Sequence, residues 1–172
     1  MTDAIRWSKA FAIQARSDFF AREQLVLGKH LPQCHQLHYL QMAMEKLAKA
    51  HRIAGGSSIE EIRKSHGGIE RTITTIMRQV LGRTPGTSEK WILEQVRSLA
   101  RRIELLHPAV RAGESVPANC EYPWLDGGGQ IRVPAEYNFA IDLSKEKVAV
   151  KMLKAVYEMA AELADQEIPA GD

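Results

Sequence analysis

What most constrains this chain is a set of apolar stripes at helical spacing, punctuated by glycine and proline. Leu37, Leu40, Met44, Leu47 and His51 step by 3, 4, 3 and 4 residues, which puts them on one face of a helix. Ile92, Val96, Leu99, Ile103 and Leu106 step by 4, 3, 4 and 3, the narrow seam of a helix packed in a bundle. Three further helices are predicted around these two. The first covers about Asp3 to Leu27, with Ala4, Trp7, Phe11, Ala15 and Leu25 near one face, Asp18 and Arg22 inside the same stripe, and Gly28 as its C-terminal stop. The helix carrying Leu37 opens after Leu31-Pro32, and Gly55-Gly56-Ser57-Ser58 ends it. The next spans about Gly68 to Leu81, with Ile69, Thr72, Ile73, Ile76 and Val80 inward, and is broken by Gly82-Arg83-Thr84-Pro85-Gly86. Thr87 or Ser88 then caps the helix that Pro108 stops. The last helix runs from about Ser144 to Asp165 along Val148, Met152, Ala155, Val156, Met159 and Leu163.

Residues 114–143 have another character. Val116-Pro117-Ala118-Asn119-Cys120-Glu121-Tyr122-Pro123-Trp124 is not helical, and Asp126-Gly127-Gly128-Gly129 reads as a turn between extended pieces at Tyr122–Leu125 and Gln130–Val133. A connection this long is usually functional or a packing lid. The expected fold is therefore all-α: an up-and-down bundle of four to five helices, one domain over residues 1–172, with a small β-hairpin or ordered loop inserted at 114–143 before the last helix. The aromatics of that insertion, Tyr122, Trp124, Tyr137 and Phe139, are expected to pin it to the core rather than to stack bases.

Composition narrows the class. With 45% apolar and 26% charged residues, the chain is neither disordered nor fibrous. No run of 18 apolar residues occurs, so no membrane-spanning helix is expected. The first seven residues lack the basic and apolar regions of a secretory signal. Cys34 and Cys120 are the only cysteines, which points to a reducing cytoplasm and away from a disulfide scaffold or a cysteine zinc site. The net charge of +2 hides an asymmetry: residues 1–113 carry 18 basic and 10 acidic side chains, residues 114–172 carry 5 and 11. Such halves either compensate within the fold or leave a basic face for an acidic partner such as RNA.

The second helix carries Gln41-x-x-x-Glu45-Lys46-x-x-Lys49-Ala50. That pattern, with Ala15-x-x-Asp18-Phe19 in the first helix and Ser65-His66 entering the third, resembles the HEPN family, the helical domain named for higher-eukaryote and prokaryote nucleotide binding. The resemblance covers residues 3–107 and, loosely, the last helix; the hairpin lies outside the common core. It implies a four- to five-helix bundle, often a homodimer. Many members are metal-independent endoribonucleases of toxin–antitoxin and defence systems. Some accompany a small nucleotidyltransferase partner, and others have lost catalysis and bind nucleotides or proteins. Active members share an arginine and a later histidine with four to six residues between them. Arg102 and His107 match that spacing, and Arg101 matches a one-residue-longer version. In this reading the histidine moves a proton of an RNA 2′-hydroxyl or leaving oxygen, and the guanidinium holds the phosphate. Ile103 stands where members commonly have a polar residue after the arginine.

Geometry sets a condition on that pair. Five residues of α-helix turn Arg102 and His107 about 140° apart. They converge if the helix unwinds before Pro108 or if a second protomer supplies one of them; otherwise both arginines are solvated and His107 is a C-terminal helix residue. Lys46, Lys49 and Arg52 are the candidate phosphate-binding residues, against the alternative that Glu45 and Lys49 simply form an i, i+4 ion pair. Asp18, in an apolar stripe beside Arg22, is expected to be paired internally. No metal and no cofactor are expected. Cys34-His35-Gln36-Leu37-His38 has ligand-like spacing but no further ligand at a recognisable distance, although His30, His51 and His66 exist. Gly127–Gly129 lacks the Lys-Ser/Thr of a phosphate loop.

Overall fold

A computed structural model describes residues 2–28, 31–82, 89–110 and 118–167. His30, the breaker residues 83–86, the caps Thr87 and Ser88, and Val116-Pro117 lie outside the described residues. The elements are α1 (Thr2–Leu27), α2 (Gln33–Ala54), α3 (Ile59–Lys64), α4 (Ile69–Leu81), α5 (Glu89–Glu104), β1 (Trp124–Leu125), β2 (Ile131–Arg132) and α6 (Ala149–Asp165). The fold is the all-α bundle that the stripes predict, with a small antiparallel hairpin before the last helix.

Helix α2 is the hub. It touches each of the other five helices, and Leu40, Ala43, Met44, Leu47 and Ala50 on it are wholly buried. α1 lies along α2 and α6, and α4 lies along α5. Phe19, Ile73, Ile76, Val96, Ile103, Met152 and Val156 fill the space between them. Burying a Leu, Ile, Val or Phe side chain is worth about 1.5–3 kcal/mol, so these predicted stripes suffice to fix the helix order.

Three local features were not in the predicted stripes. α3 is a short helix whose Ser58 side chain accepts the Glu61 N–H at 3.5 Å and whose only fully buried residue is Ile62. One inward residue makes no periodicity. α5 ends at Glu104 rather than running to His107: the N–H groups of Leu106 and His107 bond three residues back, to Ile103 and Glu104. α6 begins at Ala149, later than the predicted Ser144. Asp142 is the acceptor there; it takes the Ser144 N–H at 3.1 Å and hydroxyl at 2.6 Å, and pairs with Lys145 at 2.8 Å.

The hairpin is closed by Asp126, whose Oδ1 accepts the N–H groups of Gly128 and Gln130 at 2.9 Å each. Gly129 turns the chain at φ +77°, where a side chain would be strained. Trp124 and Phe139 are buried, and Tyr137 meets both edge-on with ring centroids 4.9 and 5.0 Å away. Tyr122 stays exposed. No helix among the described residues is long and apolar enough to cross a membrane.

One buried carboxylate ties α5 to the start of α4. Glu104 accepts the Gly68 N–H, the Ile69 N–H at 2.9 Å and an Arg101 N–H at 2.8 Å. It thereby satisfies donors that a helix N-terminus leaves open. Truncating Glu104 to Ala strands those donors and the Arg101 charge, so unfolding in urea is expected to lose about 2–4 kcal/mol, and Glu104→Gln, which keeps an acceptor, less.

Candidate functional site

Three separate sequence signals meet at one cavity of about 290 Å³. Its wall includes Gln41, Glu45, Lys46 and Lys49 from α2, His66 from the α3–α4 loop, and His107 from the turn after α5, with His38, Glu121, Phe11 and Met42 completing it. That volume is near the lower end for small-molecule sites.

The α2 face is a file of polar side chains four residues apart. The Gln41 amide donates to Glu45 Oε2 at 2.9 Å, and Lys49 Nζ lies 2.9 Å from Glu45 Oε1. All three residues are buried. Gln41 Oε1 has no hydrogen-bond partner although it is out of water. Such an atom costs roughly 1–3 kcal/mol until something donates to it.

His66 and His107 stack with ring centroids 4.3 Å apart and planes 19° from parallel. Their surroundings give them opposite roles. The Ala109 N–H donates to His107 Nδ1 at 3.1 Å, so the neutral ring carries its proton on Nε2, which points towards Glu121 Oε1 at 3.9 Å. His66 Nδ1 is 3.4 Å from Glu45 Oε1, which favours a proton on Nδ1 and leaves Nε2 as a lone-pair acceptor. One ring offers a donor and the other a base. Glu121 is set by Asn119, a buried residue whose Oδ1 accepts the Glu121 and Tyr122 N–H groups at 3.0 and 2.8 Å. Glu121 Oε1 also lies 3.9 Å from His38 Nδ1.

The arginines are elsewhere. The helix does unwind before Pro108, but this carries His107 to His66. Arg102 donates to Glu146 at 2.6 Å and to the Ala140 carbonyl at 2.5 Å, fastening the insertion and the approach to α6 onto α5. Arg101 holds Glu104 at 2.8 Å and lies 3.9 Å from Glu70. Within one protomer, neither arginine lines the histidine cavity. Among the candidate phosphate ligands, Lys46 is bound to Asp18, and Lys49 to Glu45. Asp18 is thus paired internally, with Lys46 and the Gln14 amide at 3.1 Å rather than with Arg22. Arg52 faces a different cavity, lined also by Arg71.

Glu45, His66 and His107 each offer a ligand atom within 4.8 Å of the others. An ion shared by two imidazoles must lie in the plane of both rings, and nearly parallel stacked planes do not meet between them. The rings would have to rotate to form a ligand set. Cys34 is in the core while His35 is exposed, so that segment does not gather ligands either. Burial pushes both thiols up, which leaves them poor nucleophiles.

Sequence reading identified His107 and the α2 signature, and noted His66. It missed Glu121 and the pairing of the two histidines, because partners from three segments leave no common spacing. Asn119 two residues before Glu121 was the available signal, since Asn often bonds the backbone just ahead of it.

Burial holds the His107 pKa below its ordinary 6.5; Glu45 and Glu121 oppose this and His66 adds to it. The unfolded chain therefore binds a proton that the folded chain resists, and this part of the stability is present above about pH 6.5 and lost as the pH falls. His51, lowered by burial, acts in the same direction. A ring-proton NMR titration should place the His107 midpoint below 6.5, and His107→Asn should flatten the acid limb of the stability curve; a midpoint above 6.5 would mean that the two carboxylates outweigh burial. Compared with models of protein families, with curated proteins and with solved structures, the chain matches none.

Proposed function

We propose that this protein is a HEPN-like helical-bundle module of the cytoplasm that binds RNA or a nucleotide at the His66–His107 cavity. The observation that supports the reading is convergence: Gln41, Glu45 and Lys49 of the α2 signature, His66 before α4 and His107 after α5 line one pocket. Those are the positions that carry the family resemblance. The unpartnered Gln41 Oε1 suits a ligand with a hydrogen-bond donor, such as a base N–H or a ribose hydroxyl. Lys49, ion-paired yet in the wall, suits a phosphate that displaces the carboxylate contact.

The second reading is a metal-independent endoribonuclease of toxin or defence type. The donor–base pairing of the two rings favours it: His66, oriented by Glu45, takes the 2′-hydroxyl proton, and His107 donates to the phosphate or the leaving oxygen. In this form Arg102 and Arg101 act on stability, unless a second protomer presents one of them. The homodimer that the resemblance implies has a candidate face on α1, where Ile13, Phe20 and Leu27 recur every seven residues, 45%, 62% and 72% exposed. A small nucleotidyltransferase is the protein partner that the same resemblance suggests.

Labelled single-stranded RNA and mononucleotides should bind the wild type, and the double variant His66→Ala/His107→Ala should weaken binding at least tenfold, about 1.4 kcal/mol. With a chelator present, cleavage that either single variant reduces by about 10²–10⁴ while Arg102→Ala spares it would select the histidine-pair nuclease. Loss of cleavage with Arg102→Ala in a protein that still folds would select the arginine–histidine version. Binding unchanged in the double variant removes the cavity as the site. Light scattering is expected to give a dimer mass that Phe20→Glu halves.

A further inference from the structure

A second and larger cavity, about 400 Å³, lies on the other side of the loop that carries His66. Ser65, Gly67 and Gly68 line it, while His66 between them lines the first. The rest of its wall is His51, Arg52, Gly55 and Ser57 from the end of α2, and Arg71, Thr72 and Thr75 from α4. We propose that this cavity is a phosphate-binding site, in which Arg52 and Arg71 take the oxygens of a phosphate monoester.

The basis is an imbalance of charge. Arg52 and Arg71 both line one concave surface, and neither has a carboxylate partner among the described residues. The nearby carboxylates are engaged: Glu104 by the Gly68 and Ile69 N–H groups and Arg101, Glu70 by Arg97 at 2.8 Å. Arg16, Arg97, Arg101, Arg102 and Arg132 have acidic partners; Arg22, Arg63 and Arg78 have no such ion pair among the described residues either, but none of them lines this hollow, whereas Arg52 and Arg71 stand in it together. Planar guanidiniums match a phosphate dianion in charge and in the geometry of their donors.

The loop is shaped around Arg52. Gly68 has φ +113°, and a Cβ there would sit 3.1 Å from Arg52 Nη1, so glycine both permits the backbone turn and makes room for the guanidinium. Of the wall hydroxyls, Ser65 donates to the Gly67 carbonyl and Thr75 to the Arg71 carbonyl; Ser57 and Thr72 remain to bond a guest. The inference does not depend on whether the histidine cavity binds or cleaves anything. On that reading, however, the two hollows flank one loop, as a base or ribose pocket and a phosphate anchor would.

The phosphate is either that of a mononucleotide or the end of an RNA strand, and the probes separate them. Isothermal titration of the full chain should show saturable binding of inorganic phosphate or adenosine 5′-monophosphate, or tighter binding of a 5′-phosphorylated RNA pentamer than of its 5′-hydroxyl twin. Arg52→Gln and Arg71→Gln should each weaken it at least tenfold, with thermal unfolding used to confirm that both variants fold; Arg71 is exposed and its replacement leaves the core alone. Arg16→Gln, the same change at an exposed arginine that lines neither cavity, should leave the binding of every probe within twofold. AMP bound tightly with adenosine silent assigns a mononucleotide; a preference confined to the 5′-phosphorylated RNA assigns a strand end. No saturable binding of any of these probes, or binding that both arginine variants leave intact, overturns the proposal.

Discussion

The structure depends on a single helix being buried against all the others while carrying a line of polar side chains. α2 has no face left for solvent along most of its length, yet Gln41, Glu45 and Lys49 run down it at four-residue intervals. Polar groups in that position destabilise a fold unless each finds a partner. Here they find one another, and the file ends at the histidines that the α3–α4 loop and the end of α5 bring alongside. The same burial that organises the bundle thus creates a dry, charged pocket wall. Packing and site cannot be altered independently along this helix.

The architecture was legible because most of it is written in stripes. Leu40, Met44 and Leu47, or Ile92, Val96 and Leu99, are spaced so regularly that only a helix buries them together, and each lies in the core. Residues carrying one structural contact were not legible. Ile59 and Ile62 in α3 make a single i, i+3 pair, too short a run to mark a helix, and the turn at Ser144 is held by Asp142, whose bonds are local and unrelated to periodicity, so that α6 opens only at Ala149. Helix ends are decided by such individual hydrogen bonds, which a stripe does not encode.

The candidate site was half legible for the same reason. The spacing of Arg102 and His107 suggested a pair, but spacing along a chain gives direction only while the helix continues. It stops at Glu104, and the next three residues turn His107 towards α2 while Arg102 stays on the flank with Glu146. The lysines show a related limit. Lys46 and Lys49 read as phosphate ligands by charge, but Lys46 meets Asp18 from another helix, which sequence could not place beside it, and Lys49 meets Glu45, the i, i+4 partner that spacing did offer. Arg52, four residues before the turn of Gly56, escapes such pairing because the loop facing it offers glycine and serine instead of acid.

Two imidazoles held face to face have a consequence for how the pocket takes up protons. At 4.3 Å a positive charge on one ring raises the cost of charging the other, by about 1 kcal/mol in a watery setting and several times that in a drier one. Protonation of His107 is therefore opposed twice, by its burial and by any charge on the ring stacked against it, and an anion entering the pocket offsets both.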